Sequence, residues 1–182
     1  MAPLGNQALW GQPDFTDEGI GTFQGQSADS AAYLVNSAQD SVTLLSASLI
    51  PIKGHRTGRL VLLQVSVNGN VVAGRGWPVP GIVTRPFRAA RLPHGDTTII
   101  FGFAGDRAGV NYMTAGLRIV YRYHGQLYTI LAWSAAAACV SVNWRTGNLA
   151  ACGRAQQVVR RATEHLAGVQ SARCAWQGTR TP

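Results

Sequence analysis

The chain is 182 residues long, which corresponds to a single domain that can bury a sizeable core. Hydrophobic residues make up 46% of it and charged residues only 13%, proportions that exclude a disordered chain and a charged coiled coil. The net charge of +8 makes the protein basic, and neither its composition nor any motif identifies a reaction.

The first 40 residues differ from the rest because they contain no lysine or arginine. Trp10, Phe15 and Phe23 are spaced along a segment with little apolar periodicity. Spaced aromatic residues allow an irregular segment to attach along a sheet. We therefore predict an acidic, irregular N-terminal arm over residues 1–40, with a loose start and an ordered end. Its acidic residues are Asp14, Asp17, Glu18, Asp29 and Asp40.

Residues 41–152 are predicted to form a β-sandwich body. Short apolar runs and two-residue alternation, bounded by glycine, proline and asparagine, indicate strands. In Leu117–Tyr123, apolar residues alternate with Arg118, Val120 and Arg122, so one face of that strand is apolar and the other is partly basic. The predicted strands are Val42–Ile52, Leu60–Val67, Val71–Ala73, Thr97–Phe103, Leu117–Tyr123 and Leu127–Trp133.

Two dipeptides indicate tight hairpin turns. Asn68-Gly69 and His124-Gly125 each combine a polar residue with a glycine, as hairpin turns with positive φ angles require. After the second hairpin, the alanine-rich run Ala135–Val142 suits either another strand or a helix, and the sequence leaves both open.

The C-terminal part of the chain changes to helical periodicity. Apolar residues recur at the spacing of one helix face, and Gly168 stands where helices often end. We predict an amphipathic helix over residues 153–168, with its arginines toward solvent, and a tail over residues 169–182. The apolar positions are Ala155, Val158, Val159, Ala162 and Leu166.

Together these elements predict a mainly β fold, an antiparallel immunoglobulin-like β-sandwich with an N-terminal arm and one C-terminal helix. The Cys and Trp spacing of a true immunoglobulin domain is absent, so the prediction concerns the architecture alone. The longest apolar stretch, Leu127–Val142, is shorter than the roughly 20 residues that cross a bilayer, and no signal peptide begins the chain. We therefore expect a soluble chain without a membrane span.

The three cysteines match no zinc or haem spacing. Cys139 and Cys152 are thirteen positions apart and would close a disulfide loop in an oxidising compartment. In a reducing cytoplasm they would remain thiols. If they pair, Cys174 is the cysteine left over.

No motif of a catalytic, metal or cofactor site is found in the chain. The G-x-S-x-G motif of many hydrolases is absent, and His55, His94, His124 and His165 lie singly. His94 with Asp96 supplies too few ligands for a metal. We predict no cofactor, no metal site and no catalytic residue. An enzyme whose site is assembled from residues distant in sequence is an alternative.

Residues 53–91 hold seven lysine and arginine residues and no acidic residue, with aromatic residues among them. Mixtures of arginine and aromatic residues can clamp phosphate, sulfate or acidic sugars. The alternative is a solvated face of a basic protein. Pro78 and Pro80 place Trp77 on a loop or a sheet edge. The predicted binding face consists of Arg75, Trp77, Arg85, Phe87, Arg88 and Arg91.

These features predict a non-catalytic β-sandwich module that binds a protein partner or an anionic polymer such as an envelope component. Nucleic acid is a poor match, because a recognition helix, an RNA-binding aromatic signature and a zinc knuckle are lacking. Besides an enzyme, a structural subunit is an alternative. Such a subunit would assemble through exposed edge strands or through the apolar side of the C-terminal helix.

Several short phrases resemble a group of uncharacterised extracytoplasmic proteins of actinomycetes, over about residues 4–142. The phrases are Leu9-Trp10-Gly11, Phe23-Gln24-Gly25-Gln26, Val42-Thr43-Leu44-Leu45-Ser46-Ala47, Arg59-Leu60-Val61, Gly76-Trp77-Pro78, Arg85-Pro86-Phe87 and Ala115-Gly116-Leu117-Arg118. Those proteins usually carry an N-terminal export or membrane segment before a soluble domain. The resemblance implies an extracytoplasmic location and brings no activity, cofactor or catalytic residue with it. We expect this chain to depart from the group by its predicted C-terminal helix and by the lack of the anchor.

Overall fold

A computed structural model describes residues 8–12, 14–23, 27–67, 81–141, 154–155, 157–162 and 164–165. Within these residues the chain is built mainly of strands. In chain order they are β1 (Leu9–Gln12), β2 (Asp14–Phe23), β3 (Ala28–Asn36), β4 (Val42–Leu49), β5 (Arg59–Ser66), β6 (Thr84–Pro86), β7 (Arg91–Leu92), β8 (Gly95–Ala104), β9 (Asn111–Tyr123) and β10 (Gln126–Ser141).

The strands form two sheets that pack face to face. The first sheet has the order β1-β3-β8-β5-β6 and the second has the order β2-β10-β9-β4-β7. Neighbouring strands are antiparallel, except that β2 runs parallel to β10. The run β1-β3-β8-β5 opposite β4, β9 and β10 reproduces the ABED and CFG sheets of immunoglobulin domains. The predicted immunoglobulin-like β-sandwich is therefore confirmed.

The core lies between the two sheets and is built by period-two alternation along the central strands. In β9, Leu117, Ile119 and Tyr121 are fully buried, whereas Arg118 and Arg122 on the opposite face are exposed. Phe101 and Phe103 meet them from β8. Burying large apolar side chains of this kind contributes about 1.5–3 kcal/mol each. This inward set is the one that the alternation in the sequence predicts.

The N-terminal segment is more regular than the irregular arm predicted from the sequence. It contributes β1 and β3 to the first sheet, and β2 extends the second sheet beside β10. In β3, consecutive residues from Ala28 to Ala32 are all buried, so both faces of the strand are covered there. A strand covered on both faces shows no alternation of apolar and polar residues. For that reason periodicity did not reveal it.

The end of β9 and the alanine run of β10 match two expectations. His124 and Gly125 have φ angles of 46° and 75°, as the predicted hairpin turn requires. The run from Ala135 to Cys139 continues β10, so the strand alternative is correct. Ala136 and Ala138 belong to the sandwich core, whereas Ala135, Ala137 and Cys139 form a second apolar cluster. The hairpin predicted at Asn68-Gly69 lies outside the described residues.

The second apolar cluster lies on the outer face of the second sheet and is covered by the C-terminal helix. Residues 154, 155, 157–162, 164 and 165 are helical. Ala155 and Val159 are buried there against Met113, Ala137 and Cys139. Because the chain itself covers Ala155 and Val159, these residues are not available for subunit assembly, whereas assembly through edge strands stays a prediction. Among the described residues, no helix has the length and apolar character needed to span a membrane.

Cys139 is buried in this second cluster and is disulfide-bonded. Its partner lies outside the described residues, where both Cys152 and Cys174 are found. The pairing of Cys139 with Cys152 therefore stays a prediction. The domain boundaries predicted at residues 152/153 and 168/169 also stay predictions, because they fall outside the described residues.

Candidate functional site

The predicted binding face falls largely on one short segment that runs from β6 into β7. We call residues 85–91 the arginine loop. Its fold depends on Phe87, which is 2% exposed and inserts into the sandwich core. The backbone then turns, with the amide of Ala90 donating to the carbonyl of Phe87 at 3.0 Å and Ala89 at a φ of 64°. The buried Phe87 and Ala90 thus hold a loop whose other residues are exposed.

Backbone hydrogen bonds attach this loop to the second sheet. The amide of Ala89 donates to the carbonyl of Leu44 at 2.9 Å, and the amide of Leu44 donates to the carbonyl of Ala90 at the same distance. β7 then continues the pairing, with Arg91 opposite Thr43. The loop therefore presents its side chains from a backbone held on β4.

The arginine side chains of the loop are exposed and are bonded to neutral acceptors. The guanidinium of Arg85 donates to the carbonyl of Arg91 at 2.6 Å. Arg91 donates from Nε and Nη2 to Ser41 Oγ at 3.3 and 3.0 Å. Arg88 is also exposed. No ion pair among the described residues involves these arginines, and no acidic residue occurs between Asp40 and Asp96. The hydrogen bonds orient the positive charges without cancelling them.

This geometry refines the face predicted from the sequence. Arg85 and Arg91 are brought together at the surface by a hydrogen bond, and Arg88 is exposed on the same loop. Phe87 has to be removed from that face, because its side chain is a core anchor and has almost no surface that a ligand can touch. Arg75 and Trp77 lie outside the described residues, so their part of the prediction stays a prediction.

The basic surface continues across the second sheet beyond the loop. Arg91 lies opposite Thr43, Thr43 lies opposite Arg122, and Arg122 lies opposite Leu127. Residues directly opposite one another on neighbouring strands point to the same face of a sheet. These four residues form a row across the outer face of the second sheet, and sequence reasoning missed it because the pairing of β7 with β4 joins distant segments.

A cleft of about 620 Å³ lies at the other end of the sandwich. β5 separates the two sites, because Arg59 at its start pairs with Ala104 and Val65 near its end pairs with Arg85. No histidine lines the cleft. Its lining consists of Ser27, Thr57, Gly58, Arg59, Val61, Ala104, Gly105, Asp106 and Tyr112.

The carboxylate of Asp106 is the ionisable group with a shifted pKa in this cleft. The hydroxyl of Tyr112 donates to it, and together with a backbone amide, Arg107 and Arg56 it lowers the pKa of Asp106 from 3.8. Gly105 makes room for the tyrosine, because a Cβ atom there would lie 2.0 Å from the Tyr112 ring. Asp106 is therefore held as a carboxylate that orders the loop before β9.

We expect the substitution Tyr112→Phe to raise the pKa of Asp106 toward 3.8, because it removes the strongest interaction that lowers it. A carboxylate with a lowered folded-state pKa stabilises the fold above its unfolded-state pKa, and this stabilisation is lost as the pH falls through the folded-state pKa. The variant should therefore lose less stability in acid than the wild type does. NMR titration of the Asp106 carboxyl carbon measures the change, and an unaltered pKa would contradict the assigned role of Tyr112.

His94 and His124 are not among the residues that line this cleft. His124 Nε2 is 3.3 Å from Asp40 Oδ2 on an exposed turn, and His94 Nδ1 is 3.0 Å from the carbonyl oxygen of Ala38. Within the part of the chain that the structure describes, no group of three or more His, Cys, Asp or Glu side chains is arranged to hold a metal ion.

Comparisons with known proteins give a structural similarity but no family. No family model matches the chain, and no curated protein matches it. The solved structure of the ASH / PapD-like domain of human CEP192 (PapD-like domain 7) is similar, with a TM-score of 0.38 and 11% sequence identity. The match covers 79% of this chain and 94% of that chain.

Proposed function

We propose that the protein is a non-catalytic interaction module whose arginine loop binds a partner that presents carboxylate or phosphate groups. One observation carries the proposal. Arg85, Arg88 and Arg91 are exposed on a loop anchored by Phe87, and the acceptors bonded to Arg85 and Arg91 are neutral. The loop thus offers oriented positive charge to an external anion.

Arginine side chains favour an anion that offers two oxygen atoms to one guanidinium. A guanidinium donates two parallel hydrogen bonds to one carboxylate or phosphate, and such charge-assisted bonds are stronger than neutral ones. An isolated exposed ion pair contributes only about 0.2–1 kcal/mol, so affinity requires several arginines to act together. Binding should also weaken with salt, because exposed charges are screened over about 8 Å at physiological ionic strength.

An extracytoplasmic location is part of the same proposal. The disulfide at Cys139 supports it, because disulfides persist mainly in oxidising compartments. An envelope or extracellular partner with acidic groups would be accessible there. The cleft gives no reason to prefer an enzyme, since it places a tyrosine beside a carboxylate and no histidine beside a nucleophile.

The test compares two triple charge reversals that alter the net charge equally. One variant carries Arg85→Glu, Arg88→Glu and Arg91→Glu. The control variant reverses three exposed arginines of the C-terminal helix, namely Arg154, Arg160 and Arg161. Each variant lowers the net charge from +8 to +2. Affinity for poly-glutamate tests carboxylate recognition, and affinity for phosphocellulose tests phosphate recognition.

We expect reversal in the arginine loop to lower affinity for at least one matrix by about tenfold more than the control does, since about 1.4 kcal/mol of lost interaction gives that factor. The matrix that shows the larger difference identifies the recognised group. Equal losses in the two variants would mean that the overall charge alone causes retention, and would refute the proposal. Circular dichroism of both variants verifies that the sandwich has folded.

A further inference from the structure

Beside the arginine loop, the outer face of the second sheet carries both positive charge and exposed leucines. Six residues of this face, three from β9 and three from β10, form what we call the outer strip. They are Arg118, Val120, Arg122, Leu127, Thr129 and Leu131.

The register of the hairpin places these side chains on one face. Arg122 lies opposite Leu127, and Arg118 lies opposite Leu131. The side chains that alternate with the outer strip along each strand, such as that of Ile119 on β9, point into the core. Because four residues of a strand span about 13 Å and neighbouring strands are about 4.8 Å apart, two arginine–leucine pairs are spaced along a narrow strip.

The leucines of the outer strip are exposed apolar side chains on the half of β10 that pairs with β9 but not with β2. Leu127 is 59% exposed and Leu131 is 38% exposed. The other half of the same face is covered by the C-terminal helix, where Ala155 and Val159 are buried. One half of this sheet face is thus packed under a helix, and the other half presents apolar and cationic side chains to solvent.

The outer strip is continuous with the arginine loop. Thr43 connects them, since it lies opposite Arg91 on one side and opposite Arg122 on the other. A single partner can therefore contact both. The inference below rests on the proposed function and specifies the class of partner.

We infer that the partner is a protein that lays an acidic amphipathic helix along the outer strip. Its apolar side would cover Leu127 and Leu131, and its carboxylates would reach Arg118, Arg122 and Arg91. The protein's own C-terminal helix shows that this sheet face accepts a helix. The two helices would differ in charge. The chain's own helix packs on a neutral apolar cluster, whereas the uncovered half of the face is cationic and therefore favours an acidic helix.

Charge and shape disfavour two other occupants. A second copy of this chain would bring the same arginines against each other, which is repulsive. A lipid surface favours an amphipathic helix whose whole apolar face is buried about 5–10 Å into the headgroup boundary. Leu127 and Leu131 instead stand on a sheet, level with Thr129 and Val120.

The test uses the full chain, a soluble helical peptide and poly-glutamate of equal charge. The peptide has leucines at i, i+4 and i+7 with glutamates beside them, as an amphipathic helix requires. The variant is Leu127→Ser with Leu131→Ser. The matched control is Val61→Ser with Val67→Ser, which removes exposed apolar side chains from the other sheet.

We expect the peptide to bind more tightly than poly-glutamate. The leucine variant should lower peptide affinity about tenfold and leave poly-glutamate binding unchanged, because only the apolar contact is lost. The control should bind both probes as the wild type does. If the leucine variant leaves peptide affinity unaltered, the inference is overturned, while the proposed function survives as long as reversal of the arginine loop still reduces retention.

Two further measurements separate the other occupants. If anionic vesicles bind through Leu127 and Leu131 while the peptide does not bind, a lipid surface replaces the inferred partner. If sedimentation shows a dimer that the leucine variant dissociates, a second copy replaces it. Conversely, if the leucine variant loses peptide affinity and reversal of the arginine loop has no effect, the outer strip is upheld as a binding surface and the arginine loop is refuted as one.

Discussion

Replacing Phe87 with alanine is expected to destabilise the fold by about 3–5 kcal/mol, the usual cost of removing a buried phenylalanine. The side chain is 2% exposed and belongs to the core cluster between the sheets. Its loss removes apolar contacts and leaves a cavity under the arginine loop. Chemical denaturation measures the change in the free energy of unfolding.

Two control substitutions isolate the anchoring role of Phe87. Phe87→Leu retains most of the apolar volume and should cost far less than the alanine variant. Arg88→Ala lies at the surface of the same loop and should change stability by less than about 0.5 kcal/mol. If Phe87→Ala and Arg88→Ala were equally mild, Phe87 would not be the anchor of the loop.

The substitution Cys139→Ser is expected to cost about 2–4 kcal/mol, the typical contribution of a disulfide to stability. Cys139 is disulfide-bonded and is buried beneath the C-terminal helix, so the bond links the sheet face to the C-terminal part of the chain. The difference from the wild type should shrink in a reducing buffer. Thermal denaturation under oxidising and reducing conditions measures both effects.

Substitution of the two remaining cysteines identifies the disulfide partner of Cys139. If Cys152 is the partner, as the spacing predicts, Cys152→Ser should reproduce the loss and Cys174→Ser should be neutral. The reverse result would assign the bond to Cys174. A wild-type chain whose stability is the same in oxidising and reducing buffer would contradict a structural role for the disulfide.

Much of the fold can be predicted from the sequence because the central strands bury one face. Alternation in β9 and the turn at His124-Gly125 give the last hairpin, and Gly125 allows the positive φ that the turn requires. β3 could not be found in this way, because residues from Ala28 to Ala32 are buried on both faces. The crossing of the N-terminal segment from the first sheet to the second depends on pairings between distant residues.

The candidate site could be predicted only in part. The cluster of Arg85, Arg88 and Arg91 is visible in the sequence because the three residues are close together and no acid interrupts them. The role of Phe87 is not visible, since an aromatic residue among arginines has the same local sequence whether it points outward or inward. The row from Arg91 to Arg122 depends on β4 lying between β7 and β9, which local patterns do not specify.

We propose that the arginine loop, and not the cleft at the opposite end of the sandwich, is the binding site. NMR titration of the ¹⁵N-labelled chain with poly-glutamate and with a phosphate polymer tests it most directly. We expect the backbone and guanidinium signals of Arg85, Arg88 and Arg91 to shift, while the backbone signals of Thr57 and Tyr112 stay in place. Shifts confined to the cleft, or no shift with either probe, would contradict it.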